Sequence, residues 1–213
     1  MYRILCGLVI ALIVGLGWPE ASAAATPPQV SQCAACHGAN GMGNQASGFP
    51  ALAGLPSAYL QEQLAAFRSK ERSNAIMTGM ATPLTGADMA ALGDYYAALP
   101  VPTAPLPPVL PAGVGADMAL RGDWQTGLAA GIPSCDSCHG PGGAGVGAWF
   151  PRLAGQPAVY LAAQLNSWRD GTRKTGPLGL MSAIAHRLTP AQITAVAAYY
   201  AALPANPANG AKP

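Results

Sequence analysis

Two pentads, Cys33-Ala34-Ala35-Cys36-His37 and Cys135-Asp136-Ser137-Cys138-His139, place two thiols and an imidazole in the same order and spacing. Cysteines three positions apart lie about one helical turn from each other, so both sulfurs can add to the two vinyl groups of one porphyrin. The histidine that follows then falls beneath the iron. Its imidazole becomes the proximal axial ligand, while the thioethers retain the ring through each redox cycle. A lone pentad also suits a thiol redox pair. Two of them, inside two copies of a longer repeat, point to two covalently bound haem c groups, attached through Cys33, Cys36, Cys135 and Cys138 with His37 and His139 on the irons.

Iron that only passes electrons needs a sixth ligand, because an open position would bind oxygen, peroxide or other small molecules. Methionine is the natural candidate, since its soft thioether favours ferrous iron and raises the reduction potential. The N-terminal copy offers Met42, Met77, Met80 and Met89. Aligning Met77 to Thr85 with Met181 to Thr189 pairs Met77 with Met181 and Met80 with Ile184. A position that is isoleucine in one copy is not a shared ligand, so Met77 and Met181 are the expected distal ligands and Met80 is the reserve. Met42, Met89 and Met118 read as packing residues. His186 aligns with Thr82, which excludes a role common to both haems. It reads as a surface or propionate-facing residue, with replacement of Met181 and a pH-sensitive hydrogen bond near the second haem as lesser readings. Pro50 and Pro151 follow the pentad histidines by 13 and 12 residues in matching Phe-Pro-x-Leu-Ala-Gly segments, where a carbonyl could accept the Nδ1 proton of His37 or His139. A turn proline leading to the next helix is the plainer reading. Arg68, Arg72, Arg169 and Arg173 could pair with haem propionates, although solvent-facing charges are the default. Trp124, Trp149 and Trp168 read as core or haem-packing aromatics.

The elements that must hold these residues follow from the repeat. Tyr59-Leu60 with Gln63-Leu64 answers to Tyr160-Leu161 with Gln164-Leu165, and Tyr95-Tyr96-Ala97-Ala98-Leu99-Pro100 answers to Tyr199-Tyr200-Ala201-Ala202-Leu203-Pro204. Each copy reads as three principal helices. The first ends at the pentad, with Thr26 as cap and Pro27 at the first helical position in the N-terminal copy. The second starts at Pro56 or Pro157 and carries Tyr59, Leu60, Leu64 and Phe67 at helical spacing. The third starts at Thr85 or Thr189, where Gln192 makes the stronger capping box, and turns Leu92, Tyr95, Tyr96 and Leu99, or Ile193, Val196, Tyr199, Tyr200 and Leu203, toward the core. No strand-like alternation is sustained, so the fold class is all-α.

At 213 residues the chain divides into residues 1–23 as an export signal, 24–100 and 114–213 as two small domains, and 101–113 as a proline-rich linker that is extended and semi-rigid. In the signal, Arg3 precedes an apolar stretch from Ile4 to Trp18, and Ala21-Ser22-Ala23 is the cleavage site. Fifteen apolar residues fall short of the ~20 that span a bilayer, which disfavours a retained anchor. Cys6 leaves with the signal, and the other four of the five cysteines all belong to the pentads. Such usage fits an oxidising compartment outside the cytoplasm, the periplasm. Charged residues make up 9% of the chain, against ~25% on average, so nucleic-acid binding has no support. Residues 24–107 hold three basic and four acidic side chains and 108–213 hold seven and four, an asymmetry able to steer a partner. Two drifted solvent-facing surfaces would look the same. A domain of about a hundred residues has a modest core, so folding and haem attachment are expected to be coupled.

Taken together, the tandem pentads, the paired Phe-Pro-x-Leu-Ala-Gly segments, a methionine before each last capped helix and the Tyr-Tyr-Ala-Ala-Leu-Pro endings resemble the diheme cytochrome c4 family over essentially all of the mature region. The resemblance implies two class I cytochrome c folds packed face to face, with His37/Met77 and His139/Met181 ligation. It also implies a periplasmic or peripherally membrane-associated carrier that passes one electron at each haem between an upstream cytochrome complex or dehydrogenase and a terminal oxidase. An electron-accepting subunit of a dehydrogenase is a second reading. A diheme enzyme resembling thiosulfate dehydrogenase is a third; some of those enzymes use a cysteine that this chain does not have to spare.

Overall fold

Apolar residues at helical spacing, each run opened by a cap, build two helical units joined by an extended stretch. The computed structural model describes residues 26–125 and 131–206. The expected export signal, residues 1–23, lies outside the described residues. The first unit contains α1 (Val30–His37), α2 (Ser57–Ser69), α3 (Ala75–Ala81) and α4 (Gly86–Ala98). The second contains α5 (Val114–Leu120), α6 (Asp136–His139), α7 (Ala158–Arg169), α8 (Leu180–Arg187) and α9 (Pro190–Ala202). No strand occurs among the described residues; pairing is limited to isolated bridges such as Asn44 with Phe49 and Val146 with Phe150.

The last helix of each copy starts where the sequence places it. Thr85 and Thr189 accept from the amides of Asp88 and Gln192, and those side chains accept from the threonine amides in return. Both capping boxes are therefore complete. The stripe Ile193, Val196, Tyr199, Tyr200 and Leu203 is buried, as are Leu92 and Tyr96 of α4. Helix α4 packs on α2, and α9 packs on α7 and α5. Met89 and Met118 are core residues at 3% and 2% exposure, in line with their reading as packing.

Three features depart from the sequence reading. Thr26 and Pro27 do not open α1, which begins at Val30 after Gln29. Pro28 disfavours helical geometry at Pro27, so the helix starts only beyond the proline pair. Each copy also gains a short helix, α3 or α8, of seven or eight residues. In the second copy the first helix stops well before the pentad. Gly122, at φ +75°, turns the chain into a bridge between Asp123 and Ile132, and a Cβ at Gly122 would meet the Ile132 carbonyl oxygen at 2.1 Å. The pentad then forms its own short helix, α6.

Between α4 and α5 the chain is non-helical and is tied to the end of the second unit. The Asn206 side chain donates to the Val101 carbonyl at 3.1 Å, and the Ala104 amide donates to the Asn206 carbonyl at 2.9 Å. Along the seam between the units, Ser73 donates to the Thr172 carbonyl at 2.8 Å and Lys174 to the Glu71 carbonyl at 2.7 Å. The Gln156 amide clasps the Ala51 backbone, accepting from its N–H and donating to its carbonyl, both at 2.9 Å. No described helix is long and apolar enough to cross a membrane.

Helix α5 crosses α9 at Gly115, where a Cβ would stand 2.3 Å from the Ala195 carbonyl oxygen. Alanine in a helix is worth about 1 kcal/mol over glycine, whereas forcing apart a backbone-to-backbone contact costs roughly 1–3 kcal/mol. The clash wins, so Gly115→Ala is expected to lower the melting temperature of the C-terminal unit in a thermal scan of the holoprotein; an unchanged or raised value contradicts this crossing.

Candidate functional site

His37 closes α1 and His139 closes α6, and both imidazoles are buried, at 6% and 7% exposure. His37 Nδ1 donates to the Pro50 carbonyl and His139 Nδ1 to the Pro151 carbonyl, each at 2.8 Å. A carbonyl only accepts, so the proton sits on Nδ1 and the Nε2 lone pair is left for a metal. Burial pushes both rings below the ordinary imidazole range, which favours that neutral form, although the proline carbonyls pull the other way. Phe49 and Phe150 stand edge-on to these rings at centroid distances of 6.4 and 6.0 Å.

The Phe-Pro-x-Leu-Ala-Gly segments are anchored alike in both copies. The amides of Leu52 and Ala53 donate to the Gly41 carbonyl at 2.7 and 3.0 Å, and those of Leu153 and Ala154 to the Gly143 carbonyl at 2.8 and 3.1 Å. Gly54 then donates to the Tyr96 carbonyl and Gly155 to the Tyr200 carbonyl, each at 2.9 Å. The last helix of each unit thereby fixes the loop that orients the histidine.

Each histidine borders a large apolar cavity. The one beside His37 encloses about 1720 Å³ and the one beside His139 about 1380 Å³, open mouths included. Cys33 and Cys36 line the first and Cys135 and Cys138 the second. Burial pushes the thiols of Cys33 and Cys135 up, the latter to about 11, so neither stands as a free thiolate. Two thiols, an imidazole with a free Nε2 and apolar walls fit a covalently attached haem in each unit. Met77 and Met80 of α3 both border the first cavity, and Met181 and Ile184 of α8 border the second. The Asn74 side chain caps α3 by accepting from the Met77 amide at 2.9 Å. His186 is exposed; its Nδ1 donates to the Ser182 carbonyl at 2.8 Å, and it does not border the cavity.

Arg72 and Arg173 correct the solvent-facing default, being 6% and 3% exposed and facing each other across the seam. Arg68 does lie at the surface, donating to the Leu84 carbonyl at 2.8 Å, and Arg169 is half-buried. Trp168 is buried, with its Nε1 donating to the Thr175 carbonyl at 2.9 Å. Trp124 and Trp149 are not core residues, at 47% and 53% exposure. Both sit in loops rather than on a packed helix face, and Trp149 lies at the mouth of the second cavity. Sequence reasoning missed the cross-seam walls. Tyr59 and Gln63 of the first unit border the second unit's cavity, while Tyr160 and Gln164 of the second border the first's. A signal was present in the glutamine repeated on an otherwise apolar helix face.

Residues 28–99 match the cytochrome c family, and residues 122–199 match subunit III of cbb3-type cytochrome c oxidase. A thiosulfate dehydrogenase electron acceptor of Thiomonas intermedia is 49% identical over 96% of this chain and 94% of its own length. Among solved structures, thiosulfate dehydrogenase (TsdBA) of Marichromatium purpuratum is 46% identical over 81% of this chain with a TM-score of 0.72, although this chain spans only 36% of that protein. The cytochrome c4 of Acidithiobacillus ferrooxidans is 34% identical over 81% of this chain and 99% of its own, with a TM-score of 0.65.

The two sites differ at one charged position inside the pentad. Asp136, in place of Ala34, accepts from the Tyr200 hydroxyl at 2.6 Å and from the Gly142 amide at 2.7 Å. Hydrogen bonds to a charged group contribute about 1.5–3 kcal/mol, and truncation would strand a phenol that is 1% exposed. Asp136→Ala is therefore expected to cost the C-terminal unit about 2 kcal/mol in denaturant unfolding of the holoprotein. A change within 0.5 kcal/mol would show that this pair contributes nothing to stability.

Proposed function

The chain belongs to the diheme cytochrome c4 family, and on that premise we propose that it takes electrons singly from a thiosulfate-oxidising dehydrogenase in the periplasm and passes them on toward a terminal oxidase. It is a diheme electron carrier, with one haem c in each unit. The observation that carries the choice of donor is the 49% identity to a thiosulfate dehydrogenase electron acceptor along nearly the full length of both chains. An apolar stretch with a small-residue cleavage site, and cysteines confined to the two pentads once Cys6 is set aside, support export. The same reading keeps 24–100 and 114–213 as the haem domains and 101–113 as their linker.

Haem c held in these cavities supplies a one-electron ferric/ferrous couple. His37 and His139 would hold the haem iron through Nε2, their orientation set by the proline carbonyls. We assign Met77 and Met181 as the distal ligands, because these two alone occupy equivalent positions and both border their cavities. Met80 shares the first cavity, but its counterpart is Ile184. A haem held by a histidine and a methionine in each unit would exchange single electrons with no bond made to a substrate.

Two measurements test this reading. Mixed anaerobically with catalytic thiosulfate dehydrogenase and thiosulfate, the oxidised protein should take up two electrons per chain, seen as the absorption of reduced haem; no reduction above the enzyme-free control rejects this donor. Met77→Ala and Met181→Ala should each open one haem to carbon monoxide in the reduced state and lower its potential. If Met77→Ala leaves the N-terminal haem closed to carbon monoxide and Met80→Ala opens it, the ligand is Met80.

A further inference from the structure

The two copies differ by one unmatched charge next to a haem attachment point. The last helix of each unit carries an equivalent tyrosine that borders the haem cavity, Tyr96 in the first and Tyr200 in the second. The Tyr96 hydroxyl is buried, lacks an oxygen or nitrogen acceptor and stands beside the Cys33 sulfur. Its counterpart is engaged. Tyr200 donates to Asp136 Oδ1 at 2.6 Å and the Gly142 amide donates to Oδ2 at 2.7 Å, because the second pentad has aspartate where the first has Ala34. Among the described residues two neutral donors and no cation hold this half-buried carboxylate. Burial first and the Asp136 charge second push the Cys135 thiol up to about 11, whereas Cys33 has no carboxylate beside it.

The other charges around the cavities are matched or offset. Arg173 beside the second cavity answers to Arg72 beside the first, and Glu62 and Arg152, which border the second alone, have opposite signs. Asp136 is left over. A carboxylate favours ferric iron, which carries one more positive charge than ferrous iron, and partial burial weakens the screening that a surface charge meets. We propose that Asp136 selectively lowers the reduction potential of the C-terminal haem, acting from behind the part of the cavity wall formed by Cys135 and Tyr200. Its charge stays constant through the cycle: one electron enters or leaves the iron, and no bond or proton moves at the carboxylate. Tyr200 and Gly142 hold that charge in place, so the difference is built into the pentad and not left to a freely rotating surface side chain. One substitution inside an attachment motif thereby makes unequal two haems that the repeat otherwise treats alike.

The proposal rests on the two haem sites and not on the identity of the donor, so failure of the dehydrogenase assay leaves it standing. The test is a spectroelectrochemical titration of the haem-loaded full chain, with the two haems told apart by their paramagnetic NMR methyl resonances. Asp136→Asn keeps the size of the side chain and an acceptor for Tyr200. It should raise the ferrous-to-ferric ratio of the C-terminal haem about fivefold at a fixed potential, a shift of about 41 mV for one electron, and move the N-terminal haem less. Asp136→Glu, which keeps the charge, should stay near the parent value. The reciprocal change, Ala34→Asp, gives Tyr96 an acceptor and should lower the N-terminal potential. A purely structural role for the pair of Asp136 and Tyr200 predicts lost stability with both potentials unmoved. That result in Asp136→Asn with both haems retained overturns the proposal, and so does an equal shift at the two haems. If Asp136→Asn does not retain both haems, an N-terminal potential left unlowered in Ala34→Asp overturns it instead.

Discussion

The hydrogen bond from imidazole Nδ1 to a proline carbonyl is the constraint around which each unit is organised. It fixes the tautomer and the ring plane at once, and with them the direction in which Nε2 presents its lone pair. Holding that carbonyl in place requires the chain to return over the pentad helix within 13 residues in one copy and 12 in the other. The return is anchored at a glycine carbonyl and at the backbone of the last helix. Gly43 shows how tight it is: a Cβ there would lie 2.4 Å from the Phe49 carbonyl oxygen. The Phe-Pro-x-Leu-Ala-Gly segment therefore matches between the copies, while the loops around it have changed length.

The second organising feature is the seam. Each cavity is walled partly by tyrosine and glutamine side chains of the other unit, so neither site is complete in an isolated domain. Backbone pairing at Arg72 and Arg173, the Gln156 clasp on Ala51 and the bond from Arg152 to the Ala53 carbonyl at 2.9 Å join the units by direct polar contact. Arg152 is buried too, and burial alone pushes its guanidinium down to about 10. A carrier with few charges thus concentrates three of its arginines where the two redox centres meet.

Much of this was legible along the chain because it depends on neighbours in sequence. The capping boxes at Thr85 and Thr189, the apolar stripe of α9 and the proline carbonyls facing the histidines all follow from residue type at short spacing. Helices α3 and α8 were not legible, since seven or eight residues are too few for periodicity to stand out. Helix α1 starts later than its proline signal implies, because Pro28 disfavours helical geometry at Pro27. The early end of α5 turned on one left-handed glycine, Gly122, whose meaning appears only with the chain that returns against it.

The sequence by itself determined the cofactor chemistry, the doubling of the domain and the family, because a covalent attachment motif and a repeat are properties of spacing alone. It also distinguished Met77 from Met80 as an expectation, by comparing one copy with the other, where the cavity holds both. Only the tertiary structure decided the fate of Arg72, Arg173 and Trp149. An arginine in a polar stretch reads as a surface charge until the opposite unit is in place, and a tryptophan reads as core until the turn that carries it is seen at the surface. Burial of those arginines arises from packing between residues about a hundred positions apart, and no local pattern encodes that juxtaposition.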